Sequence, residues 1–336
     1  MSGIAEVAGL AGVSKATASR ALTGHGYVAP ETRERVRRAA HELGYVASSS
    51  AASLVTGRTN TIALVVPRVS RWYFGEIIEG IERSLMRLGY DLTLYIAEPH
   101  SRDRDLLYRH FLARKRFDGV IAVALEPDDA DLERLIGFAK PTVCIGNNLP
   151  GLATLGIDNI AIGRMITQHL LALGHERIAF VGATPKGDPP TRDVEDRQAG
   201  YLQAMQAADL APAIHPSALT ITEGYAAATL VLAETGARPT AIVGACDEIA
   251  IGAIIAAQRL GIAVPSQLST IGVDGHDYAE MFALTTVEQD PALQGENAVA
   301  MLMTMMDGEA GPTRTTARAR LVMRASTAAP PRSDAS

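Results

Sequence analysis

The chain of 336 residues has little cysteine, few aromatic residues and no long apolar run. Its two cysteines, Cys144 and Cys246, exclude a framework of disulfide bonds as the source of stability. The longest nearly apolar run, residues 249–257, is far shorter than the roughly 18 residues that a membrane-spanning helix needs. The first thirty residues carry Glu6 and no unbroken apolar stretch, so no signal peptide is expected. These absences predict a soluble cytoplasmic protein without a membrane partner.

The motifs of several common enzyme classes are also absent. No dinucleotide fingerprint G-x-G-x-x-G follows a predicted strand, and no phosphate loop of the G-x-x-x-x-G-K-S/T type occurs. Neither H-E-x-x-H, a zinc-binding pattern, nor G-x-S-x-G, the turn of serine hydrolases, is present. The eight histidines are scattered along the chain. The sequence therefore predicts no enzymatic activity, no cofactor and no metal site.

The composition is that of a folded protein with an uneven charge distribution. Apolar residues make up 47% and charged residues 20%, and the length corresponds to two or three domains. The formal net charge is −6, which argues against a basic coat over the whole molecule. Residues 1–58 nevertheless hold seven bases and four acids, a net charge of +3, which leaves −9 for the remainder. A basic head on an acidic body is typical of a DNA-binding module joined to a different domain.

The basic head is predicted to form three short helices. Apolar residues recur at helical spacing from Ile4 to Ala8, and Ser14 is placed to cap a second helix over residues 15–22. Two short helices joined by a turn that contains glycine form a helix-turn-helix motif. A third helix is predicted over residues 30–43, because proline suits the first helical position.

The second predicted helix exposes side chains whose size and polarity suit the major groove of DNA. These candidate DNA-binding residues are Ser14, Lys15, Ala16, Thr17, Ser19 and Arg20. Small residues then predominate up to Gly57, among which Leu54 stands out as a large apolar side chain. This segment is either a linker or a short helix that needs packing partners to be stable.

After Gly57 short β-branched segments alternate with helical stretches. The predicted strands are residues 61–67, 91–97, 119–125, 142–146, 177–183, 241–247 and 268–274. The predicted helices are residues 74–88, 103–114, 130–138, 162–173, 197–208, 226–235 and 248–260. This alternation indicates parallel sheets covered by helices on both faces, and a change near Asn159 divides it into two lobes. Ligands are expected at the carboxyl ends of the strands and in the cleft between the lobes.

Together these motifs resemble the LacI/GalR family of bacterial transcriptional regulators. The stretches that carry the resemblance in the head are residues 4–8, 11–14, 17–22, 32–36 and 43–45. The resemblance implies an N-terminal all-α helix-turn-helix domain at residues 1–46 and a hinge helix or linker at residues 47–58. It further implies an α/β, two-lobed, periplasmic-binding-protein-like domain with parallel sheets at residues 59–336, which binds the effector and forms the dimer.

The resemblance also implies how the chain is divided between the lobes. The N-lobe comprises about residues 59–157 and 289–315, and the C-lobe comprises about residues 158–288 and 316–328. The tail, residues 329–336, has no leucine heptads, which favours a homodimer over a coiled-coil tetramer.

Site residues follow from the same resemblance. On the predicted recognition helix, Lys15, Ala16 and Arg20 match the positions that read bases. In the hinge the matching residues are Ser48, Ala51 and Leu54, and the leucine is expected to wedge into the minor groove and bend the DNA. Ala47 and Ser48 depart from the proline and asparagine that are usual at the start of the hinge.

The candidate effector-binding residues combine planar polar side chains with aromatic faces, which together suit a polyol. The resemblance implies this role for Asp158, Arg197, Tyr225, Cys246, Asp274 and Gln289. The aromatic residues Trp72, Tyr73 and Phe74 follow the first strand of the body, where the lining of the cleft is expected. The aromatic trio is predicted to lie in a loop after the first strand of the body, with Trp72 or Phe74 touching the effector. Cys246 stands where the family usually has asparagine.

The sequence thus predicts a repressor of carbohydrate-utilisation genes that binds double-stranded operator DNA as a homodimer. A monosaccharide or disaccharide between the lobes is expected to control the operator affinity. One alternative is a regulator whose corepressor is a nucleobase. Another is a stand-alone sugar-binding protein, which the basic head and the missing signal peptide disfavour.

Overall fold

The computed structural model describes residues 3–23, 26–45, 58–98, 101–114, 116–125, 129–146, 149–185, 191–233, 238–309 and 312–331. The predicted hinge residues Ser48, Ala51 and Leu54 lie outside these ranges. Within them the chain forms a small helical head and an α/β body built on two sheets.

The head consists of three helices, α1 (Ile4–Leu10), α2 (Lys15–Thr23) and α3 (Pro30–Glu42). Helix α2 begins where the Ser14 hydroxyl accepts a hydrogen bond from the backbone N–H of Thr17 at 3.1 Å. This contact satisfies one of the amide groups that every helix start leaves without a partner. The predicted helix-turn-helix is confirmed.

Small apolar side chains allow the three helices of the head to pack closely. Ala18 of α2 and Val36 of α3 are completely buried. The Arg35 Nε donates a hydrogen bond to the carbonyl oxygen of Ala11 at 2.8 Å and so ties α3 to the turn between α1 and α2. As a result, α2 is held with its polar face directed away from the core of the head.

The first lobe is built on a parallel sheet of six strands. Its strands are β1 (Thr61–Val66), β2 (Asp91–Ile96), β3 (Gly119–Val123), β4 (Thr142–Ile145), β5 (Ala153–Gly156) and β11 (Arg314–Thr316). They lie in the order β11-β5-β4-β3-β1-β2. Its helices are α4 (Trp72–Leu88), α5 (Arg102–Leu106), α6 (Asp129–Gly137) and α11 (Pro291–Met306). A π-helical turn (Leu107–Phe111) and a 3-10 turn (Leu112–Arg114) continue α5.

The second lobe repeats this arrangement. Its strands are β6 (Ile178–Ala183), β7 (Ala213–Pro216), β8 (Ala241–Gly244), β9 (Ser269–Asp274), β10 (Thr285–Glu288) and β12 (Arg320–Val322). They lie in the order β12-β10-β9-β8-β6-β7, and only the pairing of β12 with β10 is antiparallel among these described strands. The helices are α7 (Asn159–Ala172), α8 (Arg192–Ala207), α9 (Ile221–Ala233) and α10 (Asp247–Arg259), and a 3-10 turn spans Asp277–Ala279.

The central strands of both sheets are buried along their whole length. Strands β3, β4, β8 and β9 have no exposed position, as expected of parallel strands covered by helices on both faces. The chain passes from one sheet to the other after β5, after β10 and between β11 and β12. Each lobe therefore has its own buried apolar clusters on both faces of its sheet, and the cleft lies between the lobes.

The structure also contains elements that the sequence pattern did not predict. Helix α11 was missed although Asp290 caps it and Pro291 occupies its first position. Strands β7, β11 and β12 have three or four residues each and are partly exposed. Segments this short show neither an alternating pattern nor an apolar run in the sequence. Only their pairing with neighbouring strands in the structure identifies them as strands.

In the described part of the chain no helix has both the length and the apolar character needed to cross a bilayer.

Helices α7 and α8 cross at unusually close range next to a predicted effector residue. A Cβ atom on Gly163 would overlap the carbonyl oxygen of Arg197, and one on Gly200 would overlap that of Ile160. Both positions therefore require glycine for a steric reason. Because Arg197 lies at the crossing, the two glycines determine where its side chain enters the cleft.

Replacing Gly163 by alanine is expected to force the two helices apart and to lower the free energy of unfolding by about 1–3 kcal/mol. Gly75 is the control, because it is exposed on α4 and has no neighbour within 4 Å of a Cβ position. Gly75→Ala should raise the stability by about 0.5–1 kcal/mol, since glycine is a poor helix former. Urea denaturation measures both effects, and an unchanged stability of Gly163→Ala would contradict the tight crossing.

Candidate functional site

The strands of both lobes end at a cleft lined with polar side chains. The residues that meet there come from the segment before α4, the starts of α7, α8 and α10, and the ends of β9 and β10. We call the following set the cleft network: Arg71, Asn159, Asp193, Arg197, Asp247, Glu248, Asp274 and Gln289. Sites of this kind are common at the carboxyl ends of parallel strands, where loops diverge and leave a crevice.

Arg197 is held in place from several directions. Its Nε donates to Asn159 Oδ1 at 2.8 Å, and its Nη1 donates to the carbonyl oxygen of Ala245 at 2.7 Å. The same Nη1 lies 3.6 Å from Asp274 Oδ1. Asn159 in turn donates from Nδ2 to Asp193 Oδ1 at 2.9 Å. The guanidinium is therefore buried and oriented, and its charge compensates carboxylates of the cleft.

Asp274 presents a buried carboxylate at the end of β9. It has a backbone φ of +132°, a conformation that L-residues rarely adopt, so neighbouring contacts must hold it. Gln289 Nε2 donates to Asp274 Oδ1 at 2.6 Å. Gln294 Nε2 donates to the backbone carbonyl oxygen of Gln289 at 2.8 Å and so fixes the position of Gln289. Burial raises the pKa of Asp274, while the charge of Arg197 opposes this rise.

Asp247 supports this strained segment from behind. Its side chain is fully buried, and its Oδ2 accepts backbone hydrogen bonds from Gly275 at 2.9 Å and His276 at 2.8 Å. Its Oδ1 accepts from the Thr286 hydroxyl at 2.6 Å. Burial, followed by the charge of Asp274, raises the pKa of Asp247 to about 7. Asp247 thus positions the loop that carries the predicted ligand carboxylate.

Arg71 reaches the second lobe from the residue before α4. Its Nε lies 3.3 Å from Glu248 Oε2, and its Nη2 donates to Cys246 Sγ at 3.6 Å. The guanidinium also lies over the ring of Phe74, 5.8 Å from its centre. Burial raises the pKa of Cys246 to about 12, so the thiol is neutral and serves as a weak acceptor.

The aromatic trio has a different arrangement from the one predicted. Trp72 is the first residue of α4, so the predicted loop position is wrong. Its ring stacks on His276 with 4.7 Å between ring centres and 29° between planes. Phe74 is 6% exposed and belongs to the core of the first lobe. Burial, reinforced by the charge of Asp193, raises the pKa of Tyr73, which keeps the phenol neutral beside the network.

Two other predicted residues take up peripheral positions. Tyr225 lies on α9 with 36% of its surface exposed, and its backbone packs against Gly252 of α10, so the structure does not bring it into the cleft network. Asp158 accepts a hydrogen bond from the backbone N–H of Ala161 at 2.9 Å and caps α7. It also lines a polar cavity, together with Asp193 and its neighbours, that opens beside the network.

Residue pattern alone did not single out several members of the site. These are Arg71, Asn159, Asp193, Asp247, Glu248 and His276. Each follows a strand or begins the next helix, and that position is the signal that could have identified them. Their pairing across the cleft had no signal in the sequence. Among the described residues, no group of three or more His, Cys, Asp and Glu side chains is arranged to hold a metal ion.

The predicted recognition surface lies on one side of α2. Ser14, Lys15, Ala16 and Arg20 are exposed, whereas Thr17 and Ser19 are partly buried. The Ser14 and Thr17 hydroxyls lie 2.9 Å apart. Arg20 Nε donates to the backbone carbonyl oxygen of Ala16 at 3.3 Å, so its side chain lies along the surface of α2 toward the preceding turn. This arrangement offers two cations and two hydroxyl groups to a groove.

The raised pKa of Asp247 makes the stability of the body pH-dependent. The unfolded chain releases this proton near pH 3.8, whereas the folded chain holds it up to about pH 7. The stabilisation that protonated Asp247 gives the folded state is therefore complete below pH 3.8 and is lost as the pH rises through about 7. We therefore expect the free energy of unfolding of the wild type, relative to that of Asp247→Asn, to fall between pH 3.8 and about pH 7. The slope should be up to about 1.4 kcal/mol per pH unit.

Urea denaturation at several pH values measures this difference. Asp307→Asn is the control, because Asp307 is exposed at the end of α11, and this variant should keep the wild-type slope. Parallel slopes for wild type and Asp247→Asn would contradict the buried titration.

Comparisons with known proteins agree with this architecture. Residues 3–48 match the family described as bacterial regulatory proteins, lacI family, and residues 167–327 match a periplasmic binding protein-like domain. The chain is 34% identical over 296 residues to the HTH-type transcriptional regulator DegA of Bacillus subtilis (strain 168), which covers 85% of this chain and 86% of DegA.

Two solved structures are similar over nearly the whole chain. The lac repressor dimer bound to operator and the anti-inducer ONPF has a TM-score of 0.86 at 26% identity, and covers 98% of this chain and 99% of that one. The transcriptional regulator CelR in complex with cellobiose has a TM-score of 0.68 at 28% identity, and covers 97% of this chain and 100% of that one. The protein therefore belongs to the LacI family of bacterial regulatory proteins and is a transcription regulator, not an enzyme.

Proposed function

We propose that this protein represses carbohydrate-utilisation genes and that a monosaccharide or disaccharide bound in the cleft controls its affinity for operator DNA. The observation that carries this proposal is the cleft network, in which oriented guanidinium, carboxylate and amide groups surround the ends of the strands. A hydroxyl group both donates and accepts hydrogen bonds, so adjacent hydroxyls of a sugar complement such a mixed lining. Trp72 and Tyr73 add aromatic surface for the apolar faces of a sugar ring.

The structure of CelR with cellobiose supports a carbohydrate as the effector class. That protein binds a disaccharide within a fold that matches this chain over 97% of its length. A nucleobase corepressor is the competing possibility. Screening monosaccharides, disaccharides and purine bases against operator binding distinguishes the two, because only the correct class changes operator affinity.

The head supplies the contact with DNA in this proposal. Residues 1–46 act as the DNA-binding domain, residues 47–58 as a hinge, and the remaining residues as the effector and dimer domain. Lys15, Ala16 and Arg20 face the major groove, and Leu54 from each subunit enters the minor groove. Because two heads double the number of phosphate contacts, operator affinity should depend strongly on salt.

A second copy of the chain completes the operator-binding unit. Apolar side chains are exposed on the edge strand β2, where Leu94 and Ile96 are 40% and 51% exposed, and at the end of α4. The exposed apolar residues of the edge strand and of the helix together form a surface that a second subunit can cover. The similar lac repressor is itself a dimer on its operator.

Arg20→Ala tests whether α2 reads the DNA sequence. If Arg20 contacts a guanine edge, we expect a loss of about 1–3 kcal/mol in specific affinity together with weaker discrimination at one base pair. Fluorescence anisotropy with an operator selected from random DNA, and with single-base variants of it, measures both quantities. Arg259→Ala, which removes an exposed cation from α10, is the control and should leave binding intact. Equal weakening on all sequences would limit Arg20 to phosphate contact.

Arg197→Ala tests the effector site. We expect the dissociation constant of the effector sugar to rise at least about tenfold, equivalent to roughly 1.4 kcal/mol, since an oriented cation leaves the cleft. The emission of Trp72, the chain's single tryptophan, reports binding in DNA-free protein. Arg164→Ala is the control, because Arg164 is exposed on the neighbouring helix and pairs with Gln203. An unchanged dissociation constant would remove Arg197 from the site.

A further inference from the structure

The two lobes are joined across the cleft by the side chains of two consecutive residues. Arg71 contacts Glu248 and Cys246 at the start of α10, and Trp72 stacks on His276 in the loop after β9. Arg71 and Trp72 belong to the first lobe, whereas their partners belong to the second lobe. The cleft is therefore closed by a charged contact and an aromatic contact that lie next to each other.

The charged contact is largely removed from solvent. The side chains of Arg71 and Glu248 are 16% and 12% exposed. Burial opposes the positive charge on Arg71, but Cys246, Glu248 and Asp274 around it outweigh this effect, and its pKa is raised. Removing one partner from such a pair leaves the other charge buried without compensation, which is much more costly than the pair itself.

A molecule that enters the cleft at this point has to satisfy both charges. Arg71 has only donors to offer, and the Glu248 carboxylate has only acceptors. A neutral hydroxyl group can accept from the guanidinium and donate to the carboxylate at the same time. A ligand with one charge can replace one partner only, and it leaves the other as a buried, uncompensated charge.

We propose that Arg71 and Glu248 form the specificity-determining pair of the cleft, which holds the lobes together across it and admits neutral polyhydroxylated effectors while rejecting charged ones. This inference rests on the proposed function, since it concerns the same effector site. It extends that function by assigning the exclusion of acidic and amino sugars to two residues that contact each other across the lobes.

Trp72 provides a direct measure of this contact. It is the single tryptophan of the chain, and its ring depends on closure for its stacking on His276. Its Nε1 is buried and has no hydrogen-bond partner among the described residues. Separation of the lobes would hydrate the indole, which shifts its emission to longer wavelength and increases its access to a soluble quencher.

The first experiment uses the full chain without DNA or effector. In Glu248→Gln and in Arg71→Met we expect acrylamide quenching of Trp72 to rise about twofold. Loss of the pair increases the fraction of molecules with an open cleft, in which the indole is accessible to the quencher. The double variant should show no further rise, since both substitutions break the same contact. Glu98→Gln is the control, because it breaks the exposed pair Arg68–Glu98 within the first lobe. Far-UV circular dichroism verifies that every variant is folded.

The second experiment compares three probes with the same pyranose ring: D-glucose, D-glucuronate and D-glucosamine. Glu248→Gln removes the negative partner and should gain affinity for D-glucuronate of at least about tenfold over wild type. Arg71→Met removes the positive partner and should gain affinity for D-glucosamine to a similar extent. The Glu98→Gln control should behave as wild type with all three probes.

Either experiment can overturn the proposal. Wild-type quenching in both single variants would show that the pair does not hold the lobes together. Wild-type affinity of both variants for the charged probes would show that the pair does not select by charge. Neither readout involves DNA. Failure to bind an operator, or an operator affinity that no sugar changes, would refute the proposed function, whereas the quenching and affinity measurements decide this inference.

Discussion

The buried carboxylate of Asp274 is the group around which the cleft is organised. An isolated charge in a protein interior is very unfavourable, so it requires compensation from fixed neighbours. Arg197 and Gln289 provide this compensation from two directions, and Asp247 holds the backbone loop that follows Asp274. Each of these side chains is itself anchored by further hydrogen bonds. The result is a polar surface on the second lobe whose side chains are fixed by hydrogen bonds, and this surface supports the polyol effector that we propose.

The first lobe connects this surface to the head through a short path along the chain. Strand β1 begins just after the predicted hinge, and its carboxyl end leads to Arg71 and Trp72. At the start of β1 the Asp118 carboxylate accepts backbone hydrogen bonds from Thr59 and Asn60, each at 2.8 Å. In the proposed function, a change in lobe arrangement would act on this point, to which the predicted hinge is attached. Because such coupling is reciprocal, binding of DNA would also change the affinity for effector.

Local signals in the sequence predicted local structure well. Ser14 caps α2, and the apolar, β-branched segments form the central strands of the sheets. The errors concern features that depend on distant residues. The loop predicted for Trp72 is the start of a helix that packs on α11. The short strands β7, β11 and β12 exist because longer strands pair with them.

Of the cleft network, the sequence singled out only Arg197, Asp274 and Gln289, through the family resemblance. By itself it determined the helix-turn-helix head and the alternating strands and helices. Spacing, capping residues and composition act between near neighbours in the chain, so these features are visible without coordinates. The tertiary structure alone decided which charges meet. Arg71 and Glu248 are 177 positions apart, and Asp247 supports Gly275 across 28 positions. Such contacts depend on how two lobes close and how deeply each charge is buried, and no local pattern encodes either quantity.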